Sequence, residues 1–305
     1  MITSKLVGNL GNQIAAYVSC RSIAEQLGYE WGFDPIPKYD YYNGAKQMDI
    51  FENIDYGNYP HNIQNMFREC VHDIQGPYSI TNVSPPDESV FSILDNTELF
   101  GVFQSPKYFE QRLSDIKKYL KIKESILKNS ITCLDENGID LSKTCVINIR
   151  GGEYVGIQDL HLPVSYYNMA IAKMKNVKHD MEFIVVSDDV GLASQYFPDY
   201  KIFHIGIGED YAILNLSKYA VLSNSSFPIF SILTSQQNKL TIAPKYWARW
   251  NVSNGYWATR QNIYRGMEYL DRDGNISSYS KCCEEDLQWY HDNYNTITKR
   301  LHSIY

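Results

Sequence analysis

Thr144-Cys145-Val146-Ile147-Asn148-Ile149-Arg150-Gly151-Gly152-Glu153-Tyr154 is the stretch on which the fold turns. Cys145, Val146, Ile147 and Ile149 make an apolar, largely β-branched run of strand length, and Arg150 follows at once. Gly151 and Gly152 then let the backbone bend sharply and approach a ligand closely. In open α/β sheets ligands gather beyond the carboxyl ends of strands, so Arg150 stands where a cation can meet an anionic group such as a diphosphate. The same residues are equally consistent with a structural ion pair of Arg150 with Glu153 or another carboxylate at the strand end.

Downstream, the pattern alternates between helix and strand. Helices are expected over 165–174, 191–196, 211–218 and 227–233, and strands over 182–186, 201–205, 220–223 and 240–243. That alternation predicts a parallel sheet in an α/β fold. Upstream, the chain opens with a short strand over 5–7, the loop Gly8-Asn9-Leu10-Gly11-Asn12-Gln13, and a helix over 14–27 stopped by Gly28. This is half of a Rossmann-like unit, and the backbone N–H groups at such a helix start can receive an anion. Its Gly-x-x-Gly pattern also serves as a plain strand-to-helix turn. Residues 30–106 are rich in Tyr, Asn, Pro and Asp and read as irregular with a few helices. A strand and loop follow over 99–105, a helix over 107–120, a second over 122–134, and a terminal helix over 284–302. A boundary near residue 140 divides the chain into domains 1–140 and 141–250, with an aromatic segment and helix over 251–305.

With 305 residues, 44% hydrophobic and 21% charged, the chain is that of a globular protein of two ordinary domains, and a net charge of -7 disfavours nucleic acid as a partner. No apolar run reaches the length of a transmembrane helix and no signal-peptide pattern opens the chain. A soluble, cytoplasmic protein is expected, with room for peripheral association with a membrane. The six cysteines lack zinc spacing, in keeping with a reducing compartment. The 25 tyrosines suit sugar-binding surfaces and ordinary half-buried faces alike.

Three loops fall at the ends of expected strands and form one candidate site: Asn148, Arg150 and Glu153; Ser187, Asp188 and Asp189; and Asn224, Ser225, Ser226 and Phe227. Hydroxyls and backbone N–H groups suit phosphate oxygens, and the aspartates suit ribose hydroxyls or a guanine edge. Each loop alone is also ordinary helix capping. Asp271-Arg272-Asp273-Gly274 spells the Asp-x-Asp of metal-dependent transferases, but its Asp-Gly reads better as a surface turn. His161 reads as a loop histidine.

In order along the chain, these motifs resemble the α-1,2-fucosyltransferases of glycosyltransferase family 11, within the wider group of GDP-fucose-dependent transferases. Leu6-Val7-Gly8-Asn9-Leu10-Gly11-Asn12-Gln13 is similar to that family's Gly-Gly-Leu-Gly-Asn-Gln, and Gln104-Ser105-Pro106-Lys107-Tyr108-Phe109 to its Gln-Ser-x-Lys-Tyr-Phe. Asn148-Ile149-Arg150-Gly151-Gly152-Glu153-Tyr154 resembles its His-x-Arg-Arg-x-Asp-Tyr, with Asn148 for His, Gly151 for the second Arg and Glu153 for Asp. Ser187-Asp188-Asp189, Asn224-Ser225-Ser226-Phe227 and Ile242-Ala243-Pro244-Lys245-Tyr246-Trp247 complete the resemblance, which spans residues 6–247.

The resemblance implies a GT-B fold, two facing Rossmann-like domains with the donor mainly in the C-terminal one. It implies inverting transfer of fucose from GDP-fucose to a glycan acceptor hydroxyl, with neither metal nor cofactor. Arg150 would bind the diphosphate, Gly11 and Asn12 would close its other side, and Ser225 and Ser226 would bond its oxygens. Asn148, Ser187, Asn224 and Phe227 would belong to the same donor site, Asp188 or Asp189 would hold the nucleoside, and Glu153 would act as general base or orient Arg150. A relative that binds a GDP-sugar or glycan without turnover, and a transferase for another GDP-sugar, are the alternatives.

Overall fold

The computed structural model describes residues 1–34, 47–52, 54–59, 62–74, 80–253, 255–257 and 260–301. The chain divides into two compact units, Met1–Leu120 with Ala258–Tyr264 and Asp286–Tyr305, and Lys121–Trp257 with Arg265–Glu285. The boundary thus falls at Leu120, ahead of residue 140, and the tail beyond 250 is shared between the units.

The first unit contains β1 (Ile2–Lys5), α1 (Leu10–Leu27), β2 (Trp31–Asp34), β3 (Asn65–Arg68), β4 (Cys70–Ile74), β5 (Ile80–Val83), β6 (Thr97–Phe100) and α2 (Leu113–Tyr119). Four of these strands form a parallel sheet in the order β2-β1-β6-β3. The β1-α1-β2 passage is the expected Rossmann-like half, with the strand at Ile2–Lys5 in place of 5–7. Gly8, at φ 79, turns the chain, and the Asn9 carbonyl receives the Gln13 N–H, so α1 begins at Leu10. Gly28, at φ 73, ends it in the left-handed conformation that suits glycine. Residues 30–106, expected to be irregular ahead of a strand over 99–105, hold β2 to β5, and β6 at Thr97–Phe100 stands in place of that strand. Strands of four or five residues, such as the largely exposed Asn-Met-Phe-Arg of β3, are too short to show a periodic pattern. The helix expected over 107–120 is broken into two 3-10 turns, Pro106–Tyr108 and Glu110–Arg112, before α2.

The second unit runs α3 (Glu124–Glu136), β7 (Thr144–Ile149), α4 (Val164–Val177), β8 (Glu182–Ser187), α5 (Val190–Tyr196), β9 (Lys201–Phe203), α6 (Ile207–Leu216), β10 (Tyr219–Val221), α7 (Ser226–Thr234), β11 (Leu240–Pro244), β12 (Glu268–Leu270) and β13 (Ile276–Ser277). Its sheet has the order β13-β12-β11-β10-β7-β8-β9 and is parallel except for β13. Every residue of β7 is buried, and the pleat sends alternate side chains to two cores. Cys145, Ile147 and Ile149 pack with Tyr166 and Tyr167 of α4, Phe183 and Val185 of β8, and Trp250. Val146 packs on the other face with Leu134 of α3, Ile184 and Val186 of β8, and Ile213 and Leu214 of α6. A sheet covered on both faces is why β7 reads as a continuous apolar run.

Helix α8 (Tyr279–Asp292) and β14 (Ile297–Leu301) end the described chain. The single helix expected over 284–302 therefore begins earlier and gives way to a strand. β-Branched Ile297 and Thr298 fit a pleated surface, and β14 pairs antiparallel with β4, itself paired with β5. Arg300 fastens that pairing to Asp73 at 2.6 Å.

Ile147 has no exposed surface. Ile147→Ala should lower unfolding stability by about 2 to 5 kcal/mol, read as a shifted urea midpoint. Leu287→Ala, at a side chain 63% exposed, should stay within about 0.5 kcal/mol.

Candidate functional site

From β7 the chain winds outward through β8 and β9, then returns to β10 on the other side of β7 and winds the opposite way through β11 and β12. Strand order thus reverses between β7 and β10, the switch point beside which open α/β sheets leave a crevice for ligands. Because β7 pairs with both β8 and β10, the loops after these three strands are neighbours. The three candidate loops are brought together by the topology itself.

Arg150 is held from two sides. Its guanidinium donates to an Asp188 carboxylate oxygen and, at 3.0 Å, to Oε1 of Glu153, and it lies 5.2 Å from the centre of the Tyr154 ring. Its side chain retains 21% exposure, against 53% for Glu153. The other Asp188 oxygen accepts the Gly151 N–H at 2.8 Å. Asp188 therefore ties the cation and the bend that follows it to one carboxylate.

Asp189 does structural work. Its Oδ1 caps α5 by accepting from Leu192 N–H at 2.9 Å, and its Oδ2 accepts from Gly152 N–H at 3.3 Å. These bonds hold the carboxylate below the usual range, the helix cap acting most strongly. The Ser187 hydroxyl accepts from the Asp189 N–H at 3.0 Å, closing the turn. Glycine is required at 151, since a Cβ there would stand 2.3 Å from the Cβ of Asp189. Gly152, at φ 55, completes the bend.

Across the switch point Asn148 is buried, its Oδ1 accepting from the Ser223 hydroxyl at 2.6 Å and its Nδ2 donating to the Val186 carbonyl at 3.4 Å. Asn148 thus fastens β7 to the start of the third loop, and its amide is engaged inside the unit. Asn224 donates to the Leu160 carbonyl at 2.7 Å. Ser225 is the N-cap of α7, accepting from Phe227 N–H at 3.3 Å, and places Ser226 at the first position of that helix. Phe227 packs edge-on against Tyr211, with ring centres 5.7 Å apart. The capping roles open from the sequence are realised at Asp189 and Ser225, while Arg150, Glu153 and Asp188 join one another at the end of β7.

Gly11 and Asn12 belong to the first unit, at the start of α1. Gly11 is buried, and the Asn12 Oδ1 accepts from Gln104 Nε2 at 2.9 Å. Gln104 was not among the expected site residues, although it opens a quoted motif. Its side chain is placed by contacts distant in sequence, among them Asn262 at 3.1 Å.

Trp247, Trp250 and Trp257 are buried. His161 bonds the Tyr196 hydroxyl at 2.8 Å, and burial lowers its pKa. Asp271 accepts from the N–H groups of Asp273 and Asn275 at 2.9 and 2.8 Å, and Gly274 is at φ 80, the tight turn expected there. All six cysteines are free thiols. Among the described residues no helix is long and apolar enough to cross a membrane.

Comparison with known proteins places the chain among glycosyltransferases. The O-antigen biosynthesis glycosyltransferase WbnK of Escherichia coli is 24% identical over 185 residues, 53% of this chain, and the chain spans 61% of the length of that relative. Two solved structures are similar at low identity. NodZ alpha-1,6-fucosyltransferase soaked with GDP-fucose has a TM-score of 0.47, 13% identity and coverage of 90% of this chain and 97% of that one. POFUT1 in complex with GDP-fucose has a TM-score of 0.47, 9% identity and coverage of 79% and 97%. The profile of Glycosyl transferase family 11 matches residues 91–266, more than half the chain, and the chain belongs to that family.

Proposed function

We propose that this glycosyltransferase moves L-fucose from GDP-fucose to a hydroxyl of a glycan acceptor, with inversion and without a divalent metal. The observation that carries the reading is Arg150, a permanent cation at the carboxyl end of the buried strand β7, beside the switch point and braced by two carboxylates. The GDP-fucose named for two similar structures supports the donor, and the O-antigen relative supports an acceptor in a surface polysaccharide. The α-1,2 linkage to a galactoside follows the family resemblance.

In this reading the acceptor oxygen attacks C1 of fucose, the bond from C1 to the β-phosphate oxygen breaks, and that electron pair leaves with GDP. Negative charge grows on the β-phosphate, and the guanidinium of Arg150 meets it with two N–H groups. Asp188 and Glu153 keep the fork pointed at the loop mouth before donor arrives. Diphosphate oxygens take over part of that bonding, so Glu153, the more exposed partner, is the one to release the cation. A released carboxylate in this position can accept the acceptor proton. The hydroxyl and the N–H of Ser226, the first residue of α7, serve the remaining phosphate oxygens. Asp188 and Asp189, tied to the loop backbone, contribute to the nucleoside site through the shape they impose.

Turnover should persist in excess EDTA, whereas Arg150→Ala, with its fold verified by circular dichroism, should lose roughly a hundredfold or more in kcat. Loss of the wild-type rate in EDTA with recovery on adding manganese would overturn the metal-free mechanism. Glu153→Gln separates base from brace: a base predicts a depressed kcat and a distorted pH profile with donor affinity within about twofold. An unchanged pH profile would leave Glu153 as a partner of Arg150 alone.

A further inference from the structure

β14 runs antiparallel to β4, with Lys299 opposite His72 and Ile297 opposite Ile74. The pleat puts alternate residues on one face, so His72, Ile297 and Lys299 share a side of this small sheet. The end of α8 covers that side: Tyr290 packs with Val83 of β5 and with Ile297, and its ring centre lies 5.7 Å from that of His72. Lys299 is thus a cation on the face where a half-buried strand calls for an apolar residue. Arg300, one position on and facing the other way, is paired with Asp73, whereas among the described residues Lys299 has no carboxylate partner.

Between this sheet and the end of α8 lies a cavity of about 440 Å³, within the roughly 300 to 1,000 Å³ of small-ligand sites. The described residues that line it all belong to the first unit, and none of them is acidic. Lys299 and Arg260, the latter opening a 3-10 turn over Arg260–Asn262, supply two positive charges. Arg260 donates its Nε–H to Asp286 at 2.6 Å and lies over the Tyr290 ring, 3.9 Å from its centre. That bond does not use the two terminal nitrogens of the guanidinium.

Two buried polar groups of the lining residues have no protein partner: the Tyr290 hydroxyl and Nδ1 of His72, on residues 8% and 7% exposed. Leaving such groups unpaired is costly. Burial holds the Tyr290 phenol well above its usual range, so it keeps its proton and can donate it. Burial first, then Lys299 and Arg260, push His72 down to about 4 against the opposite pull of Asp73 and Asp87. Its ring is neutral near neutral pH, and the two cations outweigh the carboxylates around it.

An inward lysine on an edge strand such as β14 can serve only to deter strand pairing. That role needs neither a second cation nor an unpaired hydroxyl and imidazole beside it. In a chain of net charge -7, a cavity with cations and no carboxylate in its lining selects for an anion. The other lining residues narrow the choice: the rings of Tyr290 and Tyr294 suit the C–H face of a sugar, and the Asn295 amide suits its hydroxyls.

We infer that this cavity is a binding site for an acidic saccharide, its carboxylate or phosphate held by Lys299 and Arg260 and bonded by the Tyr290 hydroxyl. The inference goes beyond the transfer reaction, since the site lies wholly within the first unit and requires neither the donor nor Arg150.

The test titrates the full chain, isotope-labelled at histidine, with glucuronate, glucose-6-phosphate, glucose and sulfate, following the His72 ring by NMR. The His72 signal is the one absent from His72→Gln. A sugar acid should move that signal saturably, and whichever of the two binds tighter identifies the anionic group as carboxylate or phosphate. Lys299→Ala, at an exposed residue, should weaken this binding roughly tenfold or more, and Tyr290→Phe roughly threefold or more. No saturable shift with either sugar acid, or glucose or sulfate binding as tightly as the better sugar acid, would overturn the inference. Lys299→Ala within about twofold of wild type would overturn it too, and that variant decides alone if Tyr290→Phe does not fold. Neither GDP-fucose nor turnover enters the measurement, so its failure leaves the donor assignment untouched and failure of the donor assignment leaves this site standing.

Discussion

The second unit depends on the arrangement of Arg150, Asp188 and Glu153 at the end of β7. A guanidinium delivered by a fully buried strand needs partners, and the chain supplies them from two directions. Asp188 bonds both Arg150 and the Gly151 N–H, so the charge pairing that satisfies the cation also fixes the backbone beyond it. Asp189 does the same for Gly152 while capping α5. Changing either aspartate would alter the loop shape along with the charge. Position 151 is closed to any side chain, because the Cβ of Asp189 occupies the space beside Gly151.

What could be read from the sequence follows the same physics. The alternation of the second unit was legible because β7 and β8 are covered on both faces and read as apolar runs. The gathering of the three loops was legible too, since parallel topology places their strand ends side by side. The partners of the loop residues were not. Nothing local distinguishes Asn148 as a bond to Ser223 from Asn148 as a ligand, and capping by Asp189 and Ser225 was only one of two readings. In the first unit, strands of four or five residues escaped notice among Tyr, Asn and Asp, and the tail strand Ile297–Leu301 was hidden behind the helical pattern before it. Glu69, buried after β3 among four hydrogen-bond donors, left no signal, because a buried carboxylate is recognised by its donors, and three of the four stand more than thirty positions away, the fourth at residue 261.

The two units invest differently in their candidate residues. In the second, the charges of Arg150, Glu153 and Asp188 sit at the loop after β7 and remain partly exposed. In the first, the Asn12 loop is backed by a buried polar network through Gln104, Gln261 and Glu69, which trades burial of a charge for a single backbone geometry.

The central claim is that Arg150 is the cation for the donor diphosphate. The most direct measurement is calorimetric binding of GDP and of guanosine to wild type and to Arg150→Ala. The account predicts that the substitution weakens GDP by roughly tenfold or more, as loss of a charged hydrogen-bonding group should, and leaves guanosine unchanged. Equal GDP affinity in the two proteins, or equal weakening of both ligands, would contradict it.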